Sequence, residues 1–425
     1  MQKIEGKRLL IMGGMRISCE IVRKAQGMGV YTIVADYNKI EDSPGKQIAD
    51  EAADLSVVDV DAVVAYIKEH DIDGVFVGFN DMLLPYYAEI CEKACLPCYG
   101  TKEQFEILIA KDQYKALCRQ FGIPTIPEYN INDEDIRYPV LVKPVDSSGS
   151  RGITICNNHR ELEDAVEIGR KESQRGKVLI ERYMDGRELT VFWTFQDGKY
   201  YLSALGNRHV SQNQGTDIIP LPIGYTFPSA YLPKYRAEYE ENCKKMFRHL
   251  GIKDGMMFMQ CKLKDDVCYV YDLGFRLTGS LEYKILERVC GYNPLEMMIC
   301  YALTGRMGDE SIADKAVPEF KTPAFNVSCL CASGSIMDIT GTEEVKSLSE
   351  VEDVVLAHVP GDTITADMRG LLSQITIRVL GSVQNKESLQ PVIKKIENTI
   401  HVVGKDGNQM LLPGMGNSDM QNLVI

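Results

Sequence analysis

Short apolar runs alternate with helical patterns across residues 8–78, and this alternation constrains the fold more than any other feature of the chain. Residues 8–12 form an apolar run closed by Gly13-Gly14, a helical pattern follows to Gly29, and Tyr31–Ala35 is a second run ending on Asp36. A short helical stretch, Asp61–Glu69, precedes the run Gly74–Gly78. Parallel strands need crossover connections, so the spacing predicts a parallel, Rossmann-like sheet with helices packed on it. Gly13-Gly14 followed about 20 residues later by Asp36 imitates a dinucleotide fingerprint. Gly13-Gly14-Met15-Arg16-Ile17-Ser18 lacks the third glycine, so a nicotinamide-dependent oxidoreductase is carried only as a third functional reading.

The texture changes after Gly122-Ile123-Pro124. Tyr138–Pro144 is a strand stopped by proline, and Val145–Gly152 is a loop of small residues. A helix over Arg160–Lys171 leads to the strand Val178–Ile180 and then Glu181-Arg182-Tyr183-Met184. Strands at Leu189–Phe195 and Tyr200–Leu205 are joined by the hairpin signal Gln196-Asp197-Gly198-Lys199. Residues 206–233 are polar, rich in Gly and Pro, and are expected to be an irregular functional loop. Tyr235–Leu250 is an amphipathic helix. The strands Met257–Leu263 and Val267–Leu273 flank Lys264-Asp265-Asp266, a hairpin that should set Gln260 opposite Asp272. Beyond residue 318 come short strands, a helix over Leu389–Thr399, and a last stretch of about 20 residues expected to be a loose tail. Trp193 and the cluster Met256, Met257, Met259 are assigned to packing.

Composition narrows the classes. At about 100–200 residues per domain, 425 residues suggest two to four domains. Sixty acidic against 47 basic residues, and no basic block, argue against a nucleic-acid partner while leaving room for a local anion site. No apolar run approaches the ~18–20 residues of a membrane span, so no membrane partner is expected. Thirteen cysteines without an apolar leader are expected as reduced thiols in a cytoplasmic protein. Cys91, Cys95 and Cys98 lack a fourth ligand nearby and are assigned to thiols rather than zinc.

Several residues carry chemistry. Lys111-Asp112 opens a helix, and Lys143 ends a strand directly before the loop Asp146–Gly152. Small residues there let backbone N–H groups approach a phosphate while lysine adds a point charge. Glu181–Met184 is a strand that breaks, leaving backbone groups to read an adenine edge, and Glu188 follows where a carboxylate suits ribose hydroxyls.

This order of motifs, Lys111, Lys143 with its Ser/Gly loop, Glu181–Glu188 and a closing hairpin, resembles the ATP-grasp superfamily and within it the carboxylate–amine ligase branch, over residues 5–310. The resemblance implies an α/β and α+β protein: a Rossmann-like pre-ATP-grasp domain (1–106), a two-part ATP-grasp domain (107–312), a small mixed C-terminal α/β domain completing the assembly (313–405), and a tail (406–425). It implies Lys111 and Lys143 as holders of ATP phosphates, and Ser147, Ser148, Gly149, Ser150 and Gly152 as the loop closing over the γ-phosphate. Glu181, Arg182, Tyr183 and Met184 become the adenine hinge and Glu188 the ribose ligand. Asp272 and Gln260 stand at magnesium positions, and Arg276, with Lys143, at the transferring phosphate. Asn80, Asp81, Arg208 and His209 are candidates for the substrate.

The sequence departs from the family pattern at two places. Gln260 stands where the first acid is expected and Gly274 where an asparagine is expected. Magnesium prefers hard, anionic oxygens, so one ion rather than two is an open outcome, with Glu282 or Asp254 as substitutes. The implied activity is ATP-dependent activation of a small carboxylate as an acyl phosphate for attack by an amine, with ATP and Mg2+ as cofactors and room for a homodimer. The alternative is an ATP-binding protein with reduced or lost ligase activity.

Overall fold

The computed structural model describes residues 4–146, 152–211 and 220–415. The N-terminal alternation builds a parallel sheet from β1 (Arg8–Met12), β2 (Tyr31–Asp36), β3 (Glu51–Asp54) and β4 (Gly74–Phe76), in the order β3-β2-β1-β4. Leu9, Leu10, Ile11, Ile33 and Val34 are wholly buried, as strands covered on both faces should be. The fingerprint-like turn is closed from within. Asp36 accepts the Gly14 N–H at 2.7 Å and the Asn38 N–H at 2.7 Å. The Gly14 carbonyl accepts the Gly45 N–H at 2.8 Å. The glycines serve close packing of Pro44–Ile48 on the turn, and the carboxylate that the oxidoreductase reading needed is already engaged.

A second sheet comes from β5 (Glu128–Tyr129), β6 (Val140–Pro144), β7 (Thr154–Cys156) and β8 (Val178–Arg182), ordered β5-β8-β6-β7. The helix His159–Glu172 lies on it, and Val140, Val142, Leu162, Val166 and Ile180 make its small separate core.

The third sheet dominates the molecule. It takes in β9 (Arg187–Gln196), β10 (Lys199–Val210), β11 (Pro222–Phe227), β12 (Gly255–Lys264) and β13 (Val267–Gly274). The C-terminal part follows with β14 (Ala324–Leu330), β15 (Gly334–Thr340), β16 (Val351–Leu356), β17 (Thr363–Ile364), β18 (Ile375–Ser382) and β19 (His401–Gly404). Eight of these strands form one sheet, β13-β12-β9-β10-β11-β14-β18-β16, while β17-β15-β19 stand apart. The C-terminal strands therefore extend the central sheet through the β11–β14 pairing.

Two expectations are corrected. Residues 206–233 are not one irregular loop: β10 runs to Val210, and Pro222–Phe227 is a fully buried strand paired on both sides. The polar residues there alternate along a strand, and that alternation was obscured by the Gly and Pro around it. Nor is the tail loose as far as residue 415. The Met410 N–H bonds Val402, the Leu412 N–H bonds Leu330, and Met410 and Met415 bury their side chains in the C-terminal core. Trp193 and the methionines of β12 are in the main core, as expected.

Candidate functional site

A cavity of about 620 Å3 opens where the three sheets meet. Lys111, Lys143, Glu181–Met184, Glu188, Arg208, Gln260, Asp272, Asp81 and Arg276 all line it. Ser147, Ser148, Gly149 and Ser150 lie outside the described residues, and Gly152, with φ of 69°, begins the next described segment.

Lys111 opens the helix Lys111–Gln120 at the edge of this cavity, its N–H bonded to the Val145 carbonyl. One turn on, the fully buried Lys115 pairs with Glu181 and lies 3.8 Å from Glu128. Lys143, at the end of β6, reaches Glu181 at 2.6 Å and donates to the Tyr271 carbonyl at 3.2 Å. Burial, helped by the charges of Lys115 and Lys111, holds the Lys143 ammonium well below its usual range, and burial pushes Lys115 down to about 8. Lys115 and Lys143 thus share the Glu181 carboxylate, with Lys111 near enough for its charge to act on Lys143, an arrangement that a polyanion would relieve. The hinge reading is corrected for Glu181: its backbone lies inside the sheet between β5 and β6, and its side chain balances the lysines. It is corrected also for two backbone donors, because the Arg182 and Tyr183 N–H groups are taken by the Pro127 and Pro139 carbonyls.

Cross-strand pairing sets the next row. Glu188 on β9 faces Arg208 on β10 and Lys262 on β12. It pairs with Arg208, takes Lys262 at 2.6 Å and accepts the Tyr271 hydroxyl at 2.8 Å. Although burial alone would raise its pKa, Arg208 and Lys262 hold the Glu188 carboxyl below its ordinary value. His209 points to the other face, its Nε2 3.0 Å from the Thr226 hydroxyl, and is absent from the cavity wall. The Arg208-His209 pair is therefore split by the strand's alternation.

The hairpin sets Gln260 opposite Asp272, as its spacing predicts. A bulge between Gln260 and Cys261 lets the successive residues Tyr271 and Asp272 both reach the cavity. Asp272 accepts the Tyr114 hydroxyl at 3.3 Å. Gly274 faces Phe258, and a Cβ at Gly274 would lie 2.5 Å from that ring. The missing asparagine thus has a steric cause. The Phe258 ring also carries Arg276, whose guanidinium centre is 5.1 Å from the ring centroid. Arg276 grips Asp81 in a fork at 2.7 and 2.5 Å, tying the first sheet's ligand-facing end to the hairpin. Asn80 instead caps the short turn Asp81–Leu83 through the Met82 N–H at 3.1 Å. Among the described residues no group of three or more His, Cys, Asp or Glu side chains is placed to hold a metal. Asp254 accepts the Asp197 N–H, and Glu282 is buried with the Thr278 hydroxyl on it; neither lines the cavity. The substitutes considered for the missing ligands are therefore not at the site.

Sequence reasoning passed over Lys115, Lys262, Tyr271 and Arg378. The first two were legible by period: Lys115 is one helical turn from Lys111, and Lys262 is two residues from Gln260 on the same strand. Tyr271 depends on a bulge, and Arg378 on a distant strand.

Residues 136–280 match the family model described as an ATP-grasp domain. The chain is 25% identical over 327 residues to a 2-oxoglutarate carboxylase small subunit of Hydrogenobacter thermophilus, covering 71% of this chain and 67% of that protein. It is 40% identical over 85 residues to a D-alanine–D-alanine ligase of Fusobacterium nucleatum, 20% of this chain and 28% of that one. Among solved structures, an L-amino acid ligase from Bacillus licheniformis superposes with a TM-score of 0.76 at 22% identity, covering 94% of this chain and 99% of that one. The biotin carboxylase domain dimer of the Hydrogenobacter thermophilus enzyme, solved with MgADP and bicarbonate, gives a TM-score of 0.76 at 20% identity, over 94% and 91% of the two chains. Together with the geometry above, the match identifies residues 136–280 as an ATP-grasp domain. Over nearly its whole length the chain is similar in fold to the ligase and carboxylase structures named above.

Proposed function

We propose that the protein uses ATP to convert a small carboxylate into an acyl phosphate, which an amine or other nucleophile then attacks. The observation that carries this reading is the junction of the second and third sheets. Lys143 is bonded to the backbone of Tyr271, beside Asp272 and opposite Gln260, on the wall of one cavity. The triphosphate would lie along Lys111 and Lys143, relieving their crowding, with the adenine read at Met184 and the ribose near Glu188. Positioning and charge neutralisation are the main requirements of phosphoryl transfer, and no protein nucleophile is needed. Arg276, fixed by Asp81 and Phe258, would stabilise charge on the transferring group.

Asp272 and Gln260 offer one anionic and one neutral oxygen, which with phosphate oxygens suits a single hard cation. The neighbouring position is filled by Phe258. In this reading Asp272 and Gln260 hold one Mg2+, which when bound would neutralise phosphate charge. Arg208 is engaged with Glu188 and belongs to the nucleotide end rather than to the substrate. Tests of assembly as a homodimer by sedimentation, and of location by fractionation, are independent of this chemistry.

The experiment is phosphate release from ATP across a panel of carboxylates and amines, with ATP affinity measured with and without magnesium. Asp272→Ala should lower turnover by about 10²-fold or more, and Gln260→Glu should retain or raise it. Tight, magnesium-indifferent ATP binding with no turnover on any pair would favour the binding-protein alternative.

A further inference from the structure

One row of the large sheet crosses the whole molecule on a single face. Lys262, Glu188, Arg208 and Tyr225 are successive cross-strand partners from β12 through β11, and Tyr225 faces Asn326 on β14. Two residues on, Ser328 faces Arg378 on β18, and Arg378 in turn faces Val355 on β16. Paired residues share a face, so the C-terminal strands bring Arg378 to the cavity that the nucleotide end shares.

Arg208, Lys262, Arg276 and Lys143 on this wall each contact a carboxylate, and among the described residues Arg378 contacts none. Glu188 is met by Arg208 and Lys262, Arg276 by Asp81, and Lys143 by Glu181. Arg378 is only 9% exposed and donates to the Ser328 hydroxyl at 2.6 Å. Among the described residues no carboxylate lies within ion-pairing distance of it. Glu282 is the acid whose field reaches it, but Glu282 holds the Thr278 hydroxyl, and its own pKa is raised by burial. A buried cation without a contacting anion is unfavourable unless a ligand supplies one.

The wall that the C-terminal part gives this cavity is largely, though not wholly, apolar. Val355, Leu356 and Ile375 line it with His358 and Ser373, and Ile17, Phe79 and Leu281 are also on the cavity wall. Asp81, also on this wall, is consumed by both arms of the Arg276 fork. Of the other carboxylates on the cavity wall, Glu181 is held by Lys143 and Glu188 by Arg208 and Lys262.

We propose that Arg378 is a specificity-determining residue that takes an anionic group of the substrate, and that the substrate is an acid with an apolar body and no cationic group. This rests on the ligase reading for the substrate's role in turnover, but the binding itself does not. Calorimetry separates the two. Wild-type protein holding a non-hydrolysable ATP analogue is titrated with 4-methylpentanoate, 3-phenylpropionate, 4-methylpentanol and L-lysine, and turnover is measured in parallel with ATP. The acids should bind at least tenfold more tightly than the alcohol or L-lysine. Arg378→Met should erase that preference while changing ATP affinity less than twofold, and Arg378→Lys should keep part of it. Arg378→Met should also unfold at or above the wild-type temperature, since it removes an uncompensated buried charge. If Arg378→Met is not soluble, loss of part of the preference in Arg378→Lys decides in favour. Unchanged acid preference in either soluble variant, stronger binding of L-lysine than of the acids, or no binding of either acid by wild type overturns the proposal. Arg378-dependent acid binding without turnover would sustain the proposal and count against the ligase reading; turnover with unaltered substrate KM in Arg378→Met would do the reverse.

Discussion

At the scale of single residues, the site is shaped by what each side chain excludes. Gly274 is the clearest case, because its opposite neighbour Phe258 occupies the volume in which an asparagine would have to stand. Gly274→Asn should therefore destabilise the protein by about 1–3 kcal/mol through overpacking and should add no magnesium affinity. Pairing it with Phe258→Ala should recover roughly 1 kcal/mol of coupling in a double-mutant cycle read by urea unfolding. A Gly274→Asn variant as stable as wild type would contradict this account of the departure. His209 supplies a pH signature. Burial pushes its imidazole down to about 4. Its contribution to stability is therefore present above the unfolded value of about 6.5 and is lost as pH falls from 6.5 through 4. His209→Asn should flatten the stability curve across that window, and a curve of unchanged slope would refute the assignment.

At the scale of elements, one hairpin carries the metal-facing pair. Its turn places Asp265 and Asp266 at φ of 50° and 62°, a left-handed conformation that favours glycine or asparagine. Asp266→Gly should stabilise the hairpin by about 0.5 kcal/mol, a small gain because backbone freedom in the unfolded chain also rises and the Asp266–Lys234 pair, largely exposed, is lost. Thermal unfolding would show it as a small rise in Tm, while a fall of several degrees would mean that the ion pair matters more than the turn. The hairpin was legible because apolar and polar residues alternate from Gln260 to Lys264, up to the turn at Asp265-Asp266. The bulge between Gln260 and Cys261 was not, since nothing local in Cys261-Lys262 announces it. Strand β10 failed for the opposite reason. Arg208 and His209 sit among Gly and Pro, and their pairing to β9 and β11 lies outside any local window.

At the scale of the whole molecule, the C-terminal strands are not an appendage to the site. β14 pairs with β11 along four residue pairs, and β18 and β16 carry the sheet onward. Removing residues 319–425 would bare the buried edge of β11 and take Arg378 away from the cavity. Such an edge is a template for aggregation. A fragment comprising residues 1–318 should therefore be insoluble, or lack a cooperative unfolding transition. A soluble, cooperatively folding fragment would show that the sheet divides where the chain's composition changes. The main hydrophobic cluster joins residues from the first sheet to β9, β10 and β12, so these layers share one core. Among the described residues no helix is long and apolar enough to cross a membrane.

The sequence by itself determined the parallel first sheet, the order Lys111, Lys143, Glu181, Glu188, Asp272, Arg276, and the opposition of Gln260 and Asp272. Each follows from short-range period, a strand stopped by proline, or spacing about a hairpin. Only the tertiary structure decided which charges neutralise one another. Glu181 turned from the hinge to the lysines, Arg208 was taken by Glu188, Asp81 by Arg276, and Arg378 was left facing the cavity. These outcomes depend on contacts between residues far apart in the chain, where desolvation and proximity, rather than residue type, set what a charged group does.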